Sequence, residues 1–190
     1  MTTIASIQGN GWSVVGYDSR VSEDDGRYYT LPKHSGKVVS NSGYLLGAAG
    51  DMRAVNILTS VFKPPPATDL AGVKLDRFMT SRFIPELKSC FEENNYGKDG
   101  EQESSILVSV NGVVYDIGSN YEWCHDEYGV YGLGSGGNYA LGCLYSSLGS
   151  ISSRTIDEAR SQVRDALAIA ARLDHRSGAP FNVLIQKVDK

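Results

Sequence analysis

The clearest fold signal in the sequence is TTIASIQGNGWSVVGYD, residues 2–18. Residues 3–7 alternate with the two-residue period of a β-strand, and residues 8–11 supply the glycines and the asparagine that favour a tight turn. Residues 12–17 then form a second run with strand character. The sequence therefore predicts a β-hairpin at the beginning of the chain.

Further hairpins and helices follow along the chain. Asn111-Gly112 between two apolar runs is the strongest short hairpin signal, and Thr155 with Glu158 forms a capping box that begins the last helix. Polar residues from Ser22 to Ser35 predict a loop. Predicted strands cover residues 37–39, 44–48, 106–110, 113–117, 130–132 and 181–185, and predicted helices cover residues 51–62, 73–94, 137–148 and a segment from residue 155 onward.

This order of elements indicates an α+β fold. Hairpins produce antiparallel sheets, and helices that arrive in pairs cover the outer faces of such sheets instead of linking parallel strands. We therefore expect residues 1–190 to form a single domain, a four-layer αββα sandwich of two antiparallel sheets covered by helix pairs.

Composition excludes several classes of protein. The net charge is -4, and the 18 Lys and Arg residues are scattered, so no basic stripe for nucleic acid is expected. Three widely spaced cysteines, Cys90, Cys124 and Cys143, favour a reducing compartment over a disulfide framework, which predicts a cytoplasmic protein. No apolar run approaches the roughly 20 residues of a membrane-spanning helix, so no membrane partner is expected.

Five short motifs lie in a recognisable order along nearly the whole chain. The motifs are Thr2-Thr3-Ile4, Gly16-Tyr17-Asp18, Lys37-Val38, Ala49-Gly50 and Gly134-Ser135-Gly136-Gly137. Each motif is weak alone, but five in register make a strong joint signal. In order and spacing they resemble the proteasome β subunits and their simpler bacterial relative HslV, which are N-terminal-nucleophile (Ntn) hydrolases.

The resemblance implies the Ntn-hydrolase fold and a threonine-type endopeptidase that degrades unfolded polypeptides. Thr2 would be the nucleophile once Met1 is removed. The resemblance also implies a homo-oligomeric ring, stacked on a second ring, and an ATP-dependent unfoldase as partner. It implies no cofactor and no metal.

The chemistry of an N-terminal threonine agrees with this interpretation. A threonine hydroxyl needs a nearby base, and a free α-amino group with a pKa of about 7.7–8.0 can serve as one. A neighbouring lysine would lower that pKa, and an aspartate would hold the lysine in place. Asp18 and Lys37 match the family's residues for these roles, while Lys33 competes with Lys37 because the preceding loop is longer than in HslV.

The remaining site residues are also assigned by resemblance. Gly50, between a predicted strand and a helix, would present its N–H to the oxyanion of the transition state. Ser135, Asp174 and Ser177 match the hydroxyl and carboxylate positions that support the N-terminus in proteasome β subunits.

Two alternatives keep the same fold. Gly50 is followed by Asp51, a pair that also occurs in non-catalytic proteasome α subunits, so the chain could be a non-catalytic or unprocessed ring subunit. It could instead be an Ntn acylase that acts on a small amide.

Two other motifs suggest different chemistry and are disfavoured. Residues 132–137 match the dinucleotide-binding pattern G-x-G-x-x-G, with Asp157 about 20 residues later, but a second helix follows where a parallel strand should. Cys124-His125-Asp126 is predicted to be a surface loop, because adjacent residues cannot all face one metal.

Overall fold

The protein is described by a computed structural model over residues 2–23, 25–33, 35–97 and 101–188. Its strands are β1 (Ile4–Gly9), β2 (Trp12–Asp18), β3 (Arg20–Ser22), β4 (Tyr28–Thr30), β5 (Val38–Asn41), β6 (Tyr44–Ala49), β7 (Ser105–Val110), β8 (Val113–Ile117), β9 (Trp123–Cys124), β10 (Val130–Leu133) and β11 (Phe181–Lys187). Its helices are α1 (Met52–Ser60), α2 (Val73–Phe78), α3 (Ile84–Glu93), α4 (Gly137–Ser146) and α5 (Ile156–Leu173). None of the helices in the described ranges is long and apolar enough to cross a membrane.

Two antiparallel sheets form the centre of the fold. The first has the strand order β10-β1-β2-β11, and the second has the order β5-β6-β7-β8-β9. The N-terminal hairpin pairs Ile4 with Tyr17 and Gly9 with Trp12, as its sequence predicts. The predicted α+β architecture of two antiparallel sheets with helices is confirmed.

Alternation along the strands divides the apolar side chains among three cores. Ile4 and Val15 pack between the two sheets, together with Leu107 of β7. Ala5 and Val14, their neighbours in sequence, pack on the opposite face against α4 and α5. A third core lies between the second sheet and helices α1 to α3. Both central layers are thus buried on both faces, which gives the four-layer sandwich.

The prediction of a loop from Ser22 to Ser35 is wrong in part. Arg20–Ser22 and Tyr28–Thr30 pair as a two-stranded antiparallel ribbon, with Ser22 opposite Tyr28. All three residues of β4 are exposed, so the segment has no buried apolar face. The alternation of apolar and polar residues that predicts a strand is therefore absent from its sequence. The ribbon continues directly from the end of β2.

The long helix predicted for residues 73–94 forms as one helical stretch, but it contains a π-helical segment, Met79–Phe83, between α2 and α3. Pro85 follows this segment at the beginning of α3. Proline has no N–H and its ring crowds the carbonyl four residues earlier, so a wider turn here relieves the contact.

The surface loop predicted at Cys124-His125-Asp126 begins instead with the end of a strand. Cys124 pairs with Asp116 at the edge of the second sheet. The His125 ring lies 2.9 Å from the Val114 carbonyl oxygen and 3.1 Å from Asp76. Among the described residues, no group of three or more His, Cys, Asp or Glu side chains could hold a metal ion.

The close approach of β2 to α5 predicts opposite effects for two glycine substitutions. A Cβ on Gly16 would overlap Val163 and lie 2.9 Å from Leu167 Cδ1, so Gly16→Ala should destabilise the protein by about 1–3 kcal/mol. Gly142 is exposed on α4 with open space around its Cβ position, so Gly142→Ala should stabilise it by about 0.5–1 kcal/mol. Urea unfolding of both variants measures the two changes. Equal effects, or the reverse order, would contradict this packing.

Candidate active site

A buried ion pair lies beside the N-terminal residues. The Lys37 ammonium is 2.6 Å from Asp18 Oδ1, and both side chains have an exposed fraction of 0%. The same Asp18 oxygen accepts the backbone N–H of Thr3 at 2.8 Å. One carboxylate oxygen therefore connects the lysine to the residue that follows Thr2.

The second oxygen of Asp18 is bonded to the backbone. Asp18 Oδ2 accepts the N–H of Arg20 at 3.0 Å and the N–H of Gly178 at 2.9 Å. The Lys37 ammonium also donates to the Arg20 carbonyl oxygen. A buried ion pair is tolerated only when such hydrogen bonds replace the lost water, so the position of both charged groups is fixed by their surroundings.

Burial changes the proton affinity of the lysine. It disfavours the charged ammonium and lowers the pKa of Lys37, while the neighbouring Asp18 carboxylate partly opposes this effect. Lys37 thus gives up its proton more readily than a lysine in water, at the position where the family resemblance expects a lysine near the nucleophile.

Thr2 itself is buried, with 3% of its surface exposed, and it packs against the glycine-rich turn after β10. A Cβ on Gly134 would overlap the Thr2 carbonyl oxygen, and one on Gly136 would overlap Thr3 Oγ1. Gly134 also has a φ of +85°, which favours glycine. The glycines therefore allow the turn to approach the N-terminal residues closely. This packing role accounts for the glycines without the phosphate binding that their G-x-G-x-x-G spacing suggests.

Ser135 of this turn joins a second polar cluster. Asp174 Oδ2 accepts hydrogen bonds from Ser135 Oγ and Ser177 Oγ, each at 2.6 Å. Ser177 Oγ lies 2.6 Å from Thr3 Oγ1, which connects the cluster to the N-terminal strand. Burial acts to raise the pKa of Asp174, but these two hydrogen bonds and the N–H of Arg176 outweigh it and lower the pKa.

Gly50 lies at the junction between β6 and α1. Its φ of +138° favours glycine, and a Cβ there would lie 2.7 Å from the Glu103 carbonyl oxygen. The preceding Ala49 packs in the core between the sheets, the same core that contains Ile4. Asp51 then caps α1 by accepting the N–H of Arg53 at 2.8 Å.

The structure distinguishes the environments of the two competing lysines. Lys37 is buried against Asp18, whereas Lys33 is exposed. Asp18 and Lys37 form one cluster, and Ser135, Asp174 and Ser177 form another, with Thr3 bonded to both. The catalytic roles of Thr2, Gly50 and these residues stay predictions.

Sequence reasoning missed several residues of this site, among them Thr3, Arg20 and Gly178. Thr3 bonds to Asp18 through its N–H and to Ser177 through its hydroxyl, and Arg20 contributes its backbone N–H and carbonyl oxygen. Arg20 acts through its backbone, and backbone contacts do not depend on the type of side chain. The sequence therefore contained no signal for its role. Thr3 could have been found from its position beside the predicted nucleophile, Thr2, and near the end of β2.

The comparisons with known proteins identify similar structures only. No family model and no curated protein matches the chain. The structure of Thiobacillus denitrificans BPH in complex with epoxomicin matches with a TM-score of 0.78 and 18% identity over 100% of both chains. A second structure of the same BPH matches with a TM-score of 0.78 and 18% identity over 99% of each chain. Eukaryotic HslV from Trypanosoma brucei matches with a TM-score of 0.68 and 18% identity over 98% of this chain and 99% of that chain. The chain therefore has the fold of the BPH and HslV structures, the fold that its sequence motifs predict.

Proposed function

We propose that the chain is a threonine-type endopeptidase subunit of a self-compartmentalising ring protease, with Thr2 as nucleophile after removal of Met1. The observation that carries this proposal is the buried Asp18–Lys37 pair, because Asp18 also holds the N–H of Thr3, the residue next to Thr2. A buried charge pair is costly for folding, and groups whose pKa is shifted by burial, as that of Lys37 is, concentrate at functional sites.

The chemistry begins with the two reactive groups of Thr2. The α-amino group takes the proton of the hydroxyl as Oγ attacks the carbonyl carbon of a substrate peptide bond. The amine then returns this proton to the leaving amino group, and the resulting ester is hydrolysed by water. Gly50 would donate its N–H to the oxyanion of the tetrahedral intermediate.

Lys37 contributes by its charge and its fixed position. An ammonium near Thr2 disfavours protonation of the α-amino group, which keeps the amine available as a base, and stabilises negative charge that develops during attack. Hydrogen bonds to Asp18 and Arg20 prevent the long side chain from moving away. The Ser135–Asp174–Ser177 cluster holds Thr3 from the other side.

The partners of the enzyme are proposed from the resemblance. A reactive threonine without a specificity device would be hazardous in the cytoplasm, so we propose confinement in stacked homo-oligomeric rings fed by an ATP-dependent unfoldase. The similar fold of HslV and BPH supports the assignment of the chain to this class of subunit. Under the alternative of a non-catalytic ring subunit, Thr2 would stay inert, and under that of an acylase, only small amides would be cleaved.

Replacement of the nucleophile tests the proposal directly. Thr2→Ala should lower kcat/KM for an unfolded polypeptide by at least about 10³-fold, because the attacking oxygen is lost. The fold should persist, since the substitution removes only a hydroxyl and a methyl group from one side chain. Thr2→Ser keeps a hydroxyl and should retain measurable activity.

Epoxomicin, which the Thiobacillus denitrificans BPH structure contains, should form an adduct that peptide mass spectrometry locates on Thr2. An adduct on another residue, or full activity of Thr2→Ala, would contradict the proposal.

The two lysines provide a matched pair for the next prediction. Lys37→Ala should lower kcat by about 10²-fold or more because the fixed positive charge is lost, whereas Lys33→Ala, at an exposed position, should change it little. Asp18→Asn should fall between them, since the lysine loses its charged partner. Lys37→Ala also leaves a buried carboxylate unpaired, at a cost of about 3–5 kcal/mol, so kcat is measured at a temperature where circular dichroism shows each variant folded. If Lys33→Ala were inactive and Lys37→Ala active, the catalytic lysine would be Lys33 and not Lys37.

A further inference from the structure

A buried serine holds the turn that carries Gly50. Ser104 Oγ accepts the N–H of Asp51 at 3.1 Å, and it lies 2.7 Å from the Tyr96 hydroxyl. Only 4% of the Ser104 surface is exposed. Its hydroxyl oxygen also lies 2.8 Å from the position that a Cβ on Gly50 would occupy. Ser104 therefore contacts both residues of the Gly50-Asp51 turn.

Gly50 needs a restraint of this kind. Glycine has the most conformational freedom of all residues, yet a donor to an oxyanion works only when its direction is fixed before the reaction. The pairing of Ala49 with Ser105 fixes the backbone before Gly50. The hydrogen bond from Asp51 to Ser104 fixes the peptide group after it. The N–H of Gly50 belongs to the peptide group between Ala49 and Gly50, so these two contacts restrain it from both sides along the backbone.

Ser104 is itself held rigidly. Its N–H donates to Gln102 Oε1 at 2.7 Å, and Gln102 Nε2 donates to the Ser104 and Gly118 carbonyl oxygens. Gln102 has 1% of its surface exposed. Tyr96 packs edge-on against Phe91 with ring centroids 4.9 Å apart, and burial raises its pKa, which keeps the phenol protonated. The serine thus belongs to a buried network and cannot swing to another partner without breaking it.

We propose that Ser104 is a positioning residue that aims the Gly50 N–H at the oxyanion. The inference rests on the proposed function, because it needs Gly50 to be the oxyanion donor. Ser104 acts through the Gly50-Asp51 turn and need not touch the substrate. Its loss should therefore weaken stabilisation of the transition state more than binding of the substrate.

The test compares Ser104→Ala with a matched control on the same stretch of chain. Ser109, on β7, is also a buried serine with a hydroxyl hydrogen bond, at 2.5 Å to Ser13, but it lies at the other end of the strand. Both alanine variants should lose similar thermal stability. Only Ser104→Ala should lower kcat, by about 10- to 100-fold with KM nearly unchanged, since small misplacement of a catalytic group has effects of this size. Inhibition by a peptide boronate, whose tetrahedral adduct mimics the intermediate, should weaken by the same factor.

The outcomes separate this inference from the proposed function. Wild-type protein that fails to form the Thr2 adduct with epoxomicin would overturn the proposed function, and the inference with it. An active wild type with unchanged kcat and boronate inhibition in Ser104→Ala would overturn the role of Ser104 alone, as would an equal loss of kcat in Ser109→Ala. If Ser104→Ala does not fold, Ser104→Cys keeps the side chain's shape with a weaker acceptor and should show a smaller loss of kcat at the same KM.

Discussion

The ion pair between Asp18 and Lys37 is the interaction on which the rest of the site depends. Asp18 ends β2, Lys37 precedes β5, and the carboxylate also receives N–H groups from Thr3, Arg20 and Gly178. One side chain thereby joins segments from both sheets and from the turn after α5. Removing two charges from water costs several kcal/mol per ion. The attraction between the charges and their hydrogen bonds compensate for this cost without a large net gain. Such a pair contributes little to stability, so its presence favours a functional role.

The sandwich explains why this pair can be buried. The apolar faces of the two sheets meet through Ile4, Val15 and Leu107, which exclude water from the layer next to the site. The site lies where this layer ends, so the groups that would act on a substrate sit at the ends of strands. Glycines at Gly134 and Gly136 then allow the turn after β10 to approach the N-terminal residues. A rigid core thus fixes the position of groups at its edge.

The sequence predicts what depends on local interactions and misses what depends on the backbone of distant segments. The N-terminal hairpin and the capping box of Thr155 and Glu158 are set by near neighbours, and both form as predicted. Spacing alone does not distinguish Lys33 from Lys37 as the catalytic lysine, because a polar stretch without an apolar pattern separates Asp18 from both. The β4 strand has no buried apolar face that would predict it. Nothing in the sequence around Ser104 distinguishes it from the other serines. Ser104 and Asp51 are 53 positions apart in the sequence, and local sequence patterns do not predict a contact over such a separation.

The proposed catalysis requires Thr2 to be the first residue of the mature protein, since only a free α-amino group can serve as its base. The intact mass of the purified chain, measured by electrospray mass spectrometry, shows whether this requirement is met. The expected mass is lower than that of the full sequence by one methionine residue, and N-terminal sequencing should begin Thr2-Thr3-Ile4. A chain that keeps Met1 while it hydrolyses polypeptides would rule out Thr2 as the nucleophile.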